Sequence, residues 1–426
     1  MASLVTDDAD ASTSEIMDED VVPIDTPCSA DVLDVDFSPK NNTYAAALIT
    51  GIVEIYQYTP GVQAACVATL QHHAQSCRNV RFCPHRNGDL MYTASLDKTV
   101  AAIDISVATQ HGSEGKSVVW CKEDAHGTNT AVNVILPMEP NIFATGDDEG
   151  KIKIWDIRQN SNSPIIEFGE QEDYVGDMVV SDDLSRLYSA SGDGTLAVYN
   201  LRQRKLKKRS ECLEDELLSI EIMKGGRKIV TGTQGGILNM FDQNNYEDIS
   251  DRFPGHPESI QSMVKIDEDT LLTGSSDGLI RIINILPNKL IGIVGEHDEE
   301  FPVERICRSY DNSLIASISH DSVVKFWDIS YLQEDDEDLS TAMALDNVDK
   351  LVEEEGSEST TVDGGINPSS VSSSGYSYKA FDRNGIPMKK NKKDNDKKSN
   401  IKMSNDNTLL KKRKNNDDND DFFSDL

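Results

Sequence analysis

With 426 residues the chain has room for two or three ordinary domains, yet a repetitive fold of about 300 residues counts as one. Acidic residues (74) far outnumber basic ones (41), and the net charge of −33 repels phosphate backbones, so the default partner is a protein and RNA contact is left to local basic segments. No apolar run reaches the roughly 18 residues of a membrane span, Met1 to Asp20 lacks the regions of a secretory signal, and seven cysteines without a C-x-x-C pair fit a reducing, intracellular compartment.

Residues 1–20 read as an acidic disordered leader, followed by the short extended run Val21-Val22-Pro23-Ile24. From there to residue 330 one pattern recurs: alternating β-branched and aromatic residues broken by Gly, Asp and Ser, as in half-buried antiparallel strands. The first unit holds Val32 to Phe37, Tyr44 to Ala47 and Ile52 to Tyr56; the second runs from His72 through Val80-Arg81-Phe82 and Met91 to Ser95 to Val100 to Ile103. The third is the fullest, with His126-Gly127, Val132 to Leu136, Ile142 to Gly146, the turn Asp147-Asp148-Glu149-Gly150 and Ile152-Lys153-Ile154-Trp155-Asp156. The fourth and fifth close on Leu196 to Asn200 and Ile237 to Asp242, the sixth on Leu279 to Asn284, and the seventh, opening at His297, on Val323 to Asp328.

A His-Gly opening with a Trp-Asp close resembles one blade of a WD-repeat β-propeller. The units end at Tyr56, Ile103, Trp155, Tyr199, Phe241, Ile283 and Trp327, about 42 to 52 residues apart, which is near the blade period. The predicted fold is all-β: one seven-bladed propeller over residues 21–330. A ring leaves an open seam unless one sheet is shared. The expectation is that Val21 to Ile24 adds as the outer strand of the blade ending at Trp327. Beyond Ser330 the pattern stops, and residues 331–426, acidic and then basic with few apolar residues, read as a disordered tail.

Three constellations that look chemical have plainer readings. His297, Ser317, Asp321 and Trp327 fit the buried hydrogen-bond tetrad of a blade, and the set recurs in degraded form as His126, Thr145, Glu149 and Trp155, and as Thr93 and Asp97. A recurring set is structural rather than catalytic. Gly274-Ser275-Ser276-Asp277-Gly278 matches a hydrolase elbow, which needs a strand leading to a helix, whereas here a strand follows. His72, His73, Cys77, Cys83 and His85 lack the paired close spacing of zinc ligands and read as core and loop residues. No enzyme, metal, cofactor or small-molecule substrate is expected.

The remaining candidates concern partners. Arg202, Arg204, Lys205, Lys207, Lys208 and Arg209 form a basic run on an acidic chain, read as a docking patch for an acidic protein segment or RNA, or else as a solvated outer strand. Lys411, Lys412, Arg413 and Lys414 read as a nuclear or nucleolar address. Trp155-Asp156-Ile157-Arg158 resembles the box by which substrate receptors of cullin-RING ubiquitin ligases contact their adaptor, and Arg202 repeats its Arg one unit later. That resemblance implies an alternative function in substrate selection.

The sixth unit is more specific. Asp251-Arg252-Phe253-Pro254-Gly255-His256-Pro257, Thr273 to Arg281, Asn284-Ile285-Leu286-Pro287-Asn288-Lys289 and Gly295-Glu296-His297 resemble the WD repeat-containing protein 55 family, whose fungal members are called Jip5. The resemblance also takes in Leu201-Arg202, Arg204-Lys205-Leu206 and Asp215 to Ser219. It implies a nucleolar, non-enzymatic scaffold in ribosomal RNA production and ribosome assembly, with ribosome-assembly proteins or pre-ribosomal particles as partners.

Overall fold

The computed structural model describes residues 22–86, 88–110, 116–159, 163–297 and 301–333, together with the backbone of 379–380. These residues lie in the unit Met1–Met388; the second unit, Lys389–Leu426, lies outside them, as do the leader and most of the tail. The expected seven blades are present. Each has four antiparallel strands, blade six adding Lys379–Ala380 as a parallel fifth, and the inner strands are Val32–Phe37, Cys77–Phe82, Val132–Glu139, Val175–Val180, Leu217–Met223, Ile260–Lys265 and Arg305–Arg308.

The core lies between blades, where the apolar face of one sheet meets the next. Trp155 packs with Trp120, Phe143 and Tyr92 between blades two and three, and Trp327 packs with Ile280, Ile282 and Ile306 between blades six and seven. Gly295 makes the second contact possible, since a Cβ there would stand 2.3 Å from the Trp327 ring. Each inner strand is also an edge that needs its backbone groups satisfied.

A ring of polar side chains does this. Val80 N–H donates to Asp34 (2.8 Å), Ile135 N–H to Asn79 (3.0 Å), Ile220 N–H to Asp177 (3.3 Å) and Ile306 N–H to Ser262 (3.2 Å). Asn133 donates to the Val175 carbonyl (2.9 Å) and Ser219 to that of Ile260 (3.0 Å), while Arg305 Nε stands 3.6 Å from Asp34 and closes the circle. Every blade is thus tied to the next at the channel wall.

The seam is latched, but by different residues from those expected. Thr26–Pro27, not Val21 to Ile24, pairs with Val323–Asp328 of blade seven, in register Thr26 to Val324 and Pro27 to Val323. Ile24 instead forms a parallel bridge to Gln63 on the outer strand of blade one, and Val21 lies outside the described residues. A Pro tolerates an outer edge because its missing N–H faces away from the ladder. The Ser322 hydroxyl donates to Asp31 and Cys28 N–H to the Ser322 carbonyl (2.9 Å), so the same turn joins both ends of the repeat region.

Candidate interaction surface

The buried tetrads must be separated from surface sites first. In blade seven Trp327 Nε1 donates to Ser317 Oγ (2.8 Å), which lies 2.8 Å from His297 Nε2, and His297 Nδ1 stands 3.2 Å from Asp321. In blade three Trp155 Nε1 donates to Thr145 Oγ1 (2.8 Å), Thr145 lies 2.7 Å from His126 Nε2, and His126 Nδ1 stands 2.8 Å from Asp147. The acid here is Asp147, not the expected Glu149, whose carboxylate turns outward to Lys151 (2.8 Å). A neutral His126 with its proton on Nδ1 satisfies the whole chain, and burial, outweighing the pull of Asp147, holds its pKa below the usual value.

Blade two solves the same problem with two histidines. Its Trp position holds Ile103, which has no N–H to give, and both His72 and His73 place Nε2 2.9 Å from Thr93 Oγ1. His73 Nδ1 reaches Thr99 (2.6 Å), which donates to Asp97 (2.5 Å). Burial pushes His72 down to about 3. Cys77, at the start of the inner strand of blade two, and Cys83, just past its end, are buried in separate apolar clusters, and among the described residues no group of three or more metal-ligating side chains gathers. The Gly274 to Gly278 segment is the turn between strands Thr270–Ser275 and Leu279–Asn284.

The central channel concentrates charge. Arg81 donates to Asp34 (2.5 Å) and stands near Asp36 and Asp177, while Glu221 faces Lys265 and Arg308. Burial pushes Asp36 up to about 6 and Glu221 up to about 7, the nearby cations offsetting only part of the desolvation. These groups are tied into the wall, and Asp34, Asp36 and Asp177 accept backbone N–H bonds from the neighbouring blade. These three aspartates tie adjacent blades together, whereas Glu221 accepts from Ile222 N–H of its own strand.

The basic run lies on the outside. Lys205–Arg209 is the outer strand of blade four, paired with Leu196–Asn200, and the turn before it carries Arg202 and Arg204. Its cations are not equivalent. Lys208 pairs with Glu247, Arg209 donates to the Glu170 carbonyl (2.7 Å), and Lys207 lies 5.5 Å from the centre of the Tyr246 ring. Burial, and Arg186 beside it, lowers the pKa of Lys207. The side chains of Arg202, Arg204 and Lys205 are exposed and none makes a hydrogen bond or salt bridge among the described residues, Arg202 lying near enough to Asp183 to help lower its pKa.

Arg158 occupies the same turn position one blade earlier, and a single residue separates the two cases. Asp156 accepts from Arg158 Nε (2.9 Å) and Nη2 (2.8 Å), holding a guanidinium that is still 62% exposed. Blade four has Asn200 at the matching place. It caps the turn through Gln203 N–H (2.8 Å) and carries no charge to hold Arg202. The contrast between Asp156 and Asn200 was readable in the sequence; the ties of Lys208 and Arg209 to Glu247 and Glu170, far along the chain, were not. Lys411, Lys412, Arg413 and Lys414 lie outside the described residues.

Comparison with known proteins agrees with this architecture. The WDR55 family model matches residues 23–332, the whole ring with its latch. WD repeat-containing protein 55 of Arabidopsis thaliana is 39% identical over 306 residues, 72% of this chain and 82% of that protein. The Homo sapiens protein of the same name is 34% identical over 316 residues (74% and 77%), and WD repeat-containing protein JIP5 of Coprinopsis cinerea is 33% identical over 314 residues (71% and 73%). A repeat propeller whose loops face several directions from one rigid ring is a platform for protein contacts. By the match of its entire repeat region, the chain belongs to the WD repeat-containing protein 55 family.

Proposed function

We propose that the chain is a nucleolar, non-enzymatic scaffold of ribosome biogenesis, in which the turn and outer strand of blade four grip an acidic segment of an assembly factor. The observation that carries this reading is the trio Arg202, Arg204 and Lys205: three exposed cations without a hydrogen bond or salt bridge among the described residues, on the turn and first strand position of a blade in a chain whose net charge is −33. A fixed strand lowers the entropy of capture, and surrounding negative charge keeps long polyanions away while admitting a short acidic one. Membership in the family supports an interaction scaffold, and the nucleolar setting follows from the role the resemblance implies together with the basic cluster at Lys411 to Lys414.

The test is affinity purification of the tagged full chain from nuclear extract, with and without nuclease, beside an Arg202→Glu, Arg204→Glu, Lys205→Glu variant. Nuclease-resistant recovery of assembly factors with the parent, and about tenfold less with the variant, is the expected result. Recovery that vanishes with nuclease assigns the trio to RNA. Equal recovery by parent and variant returns it to a solvated strand.

One observation favours a second reading. The Arg158 guanidinium is both oriented by Asp156 and exposed, as a receptor contact to a ligase adaptor requires. Under that reading an Arg158→Ala, Arg202→Ala variant loses a cullin-ligase adaptor that the parent recovers; loss of neither adaptor nor assembly factors makes the box incidental.

A further inference from the structure

The outer strand of every blade exposes a row of unpaired backbone groups, and proteins guard such edges by keeping them short, charged or covered. The seven outer strands here divide along those lines. Val118–Lys122 and Ile166–Phe168 are short, Lys205–Arg209 carries four cations, and Asn245–Pro254 carries Glu247, Asp248, Asp251 and Arg252. Thr26–Pro27 is a two-residue strand with a Pro.

Two outer strands have neither defence. Val62–Gln71 runs ten residues without a charge, and Lys289–Glu296 has charges only at its ends, around the apolar run Leu290-Ile291-Gly292-Ile293-Val294. These are the two strands on which the structure lays a distant piece of the chain. Ile24 bridges in parallel to Gln63, and Lys379–Ala380 pairs in parallel with blade six, Lys379 opposite Gly292 and Ala380 opposite Ile293. Tether length does not dictate the second choice. Residues 334–378, at no more than about 3.4 Å each, span up to about 150 Å and reach any edge of the ring.

We propose that the outer edge of blade six is a β-addition site whose occupant is the chain's own segment around Lys379–Ala380. Among the described residues the segment pairs with the middle of the one long edge, uncharged between Lys289 and Glu296, that the N-terminal residues do not reach, and release of it opens a strand-docking surface on blade six. Main-chain bonds at Gly292 and Ile293 supply the affinity of such an addition.

The test is amide exchange in the full chain, comparing the parent with a Lys379→Pro, Ala380→Pro variant that has no N–H to offer at the paired positions. Exchange across residues 290–294 about tenfold faster in the variant, with the outer strand of blade four unchanged as an internal control, is the expected result. A peptide of residues 375–384 added to the variant should restore the slow rate, while a scrambled peptide should not. A Ser373→Pro, Ser374→Pro variant, altered in the same tail away from the pairing, should exchange like the parent. Equal rates across 290–294 in the parent and the Lys379→Pro, Ala380→Pro variant, or rescue by both peptides, would overturn the proposal.

Discussion

Blades three and seven and blade five reach the same sheet by different means. In the first two a His, a hydroxyl residue, an Asp and a Trp share one buried hydrogen-bond chain. In blade five Leu213 stands in the loop where blades six and seven place the histidine, Phe241 fills the Trp position, and the Thr231 hydroxyl is buried with no hydrogen-bond partner among the described residues. Blade five fills the place of the tetrad with apolar packing, Leu238, Met240 and Phe241 being fully buried. The comparison teaches that the tetrad is not what makes a blade. It is a local gain in stability that the polar group at its centre needs once it is buried.

The comparison can be broken at its centre. Trp327→Ala removes both the indole N–H and the wedge against Gly295, and should cost about 3 to 5 kcal/mol by denaturant titration. A cost below about 1 kcal/mol would mean that blade six collapses into the space left behind.

Matched hydroxyl deletions sharpen it. Thr145→Val strands His126 and Trp155 without their shared partner and should cost about 2 to 3 kcal/mol, whereas Thr231→Val, which removes a group with nothing to bond, should lie within about 0.5 kcal/mol of the parent or above it. Equal costs would show that burial, not partnership, sets the price of the hydroxyl.

Blade five carries its own liability at the channel. Glu221 stands where blade three has Leu136 and blade seven Cys307. Its pKa is raised by burial from 4.5 to about 7, so the folded chain holds that proton more tightly than the unfolded one. The associated stability is present below about pH 4.5 and is lost as pH rises through 7. Glu221→Gln should therefore gain about 1 to 2 kcal/mol over the parent at pH 8 and nothing at pH 4, with the bond from Ile222 N–H kept. A gain that does not grow between pH 4 and pH 8 would sink this account. The smallest effect on stability is expected at the surface. Arg202→Glu, Arg204→Glu and Lys205→Glu together should shift the unfolding free energy by less than about 1 kcal/mol while cutting partner recovery about tenfold.

How much of this was legible depends on the range of the interaction. Blade spacing and the strands were readable because alternation, Gly and Asp turns and the Trp-Asp close are local. The His297, Ser317, Asp321, Trp327 set is local to one blade and was readable for the same reason. In blade three the count from Trp155 pointed to Glu149, but the bond goes to Asp147, because the end of strand Ile142–Asp147 lies closer to His126 than the outward-turning Glu149 does. The role of His72 in place of a Trp was hidden too, since it depends on the fold bringing its Nε2 to the Thr93 hydroxyl across 21 residues of chain.

By itself the sequence determined that the chain is a ring of seven β-sheet blades and where each ends, because periodicity and turn chemistry act over a few residues, while particular segments such as Asn284-Ile285-Leu286-Pro287-Asn288 carried the family resemblance. Tertiary structure alone decided which strand closes the seam, which carboxylates cap the channel wall, which cations of the basic run stay unpaired, and which bare edge receives the returning segment. Each of those choices joins residues of different blades or opposite ends of the chain, and only the closure of the ring brings them within hydrogen-bond distance.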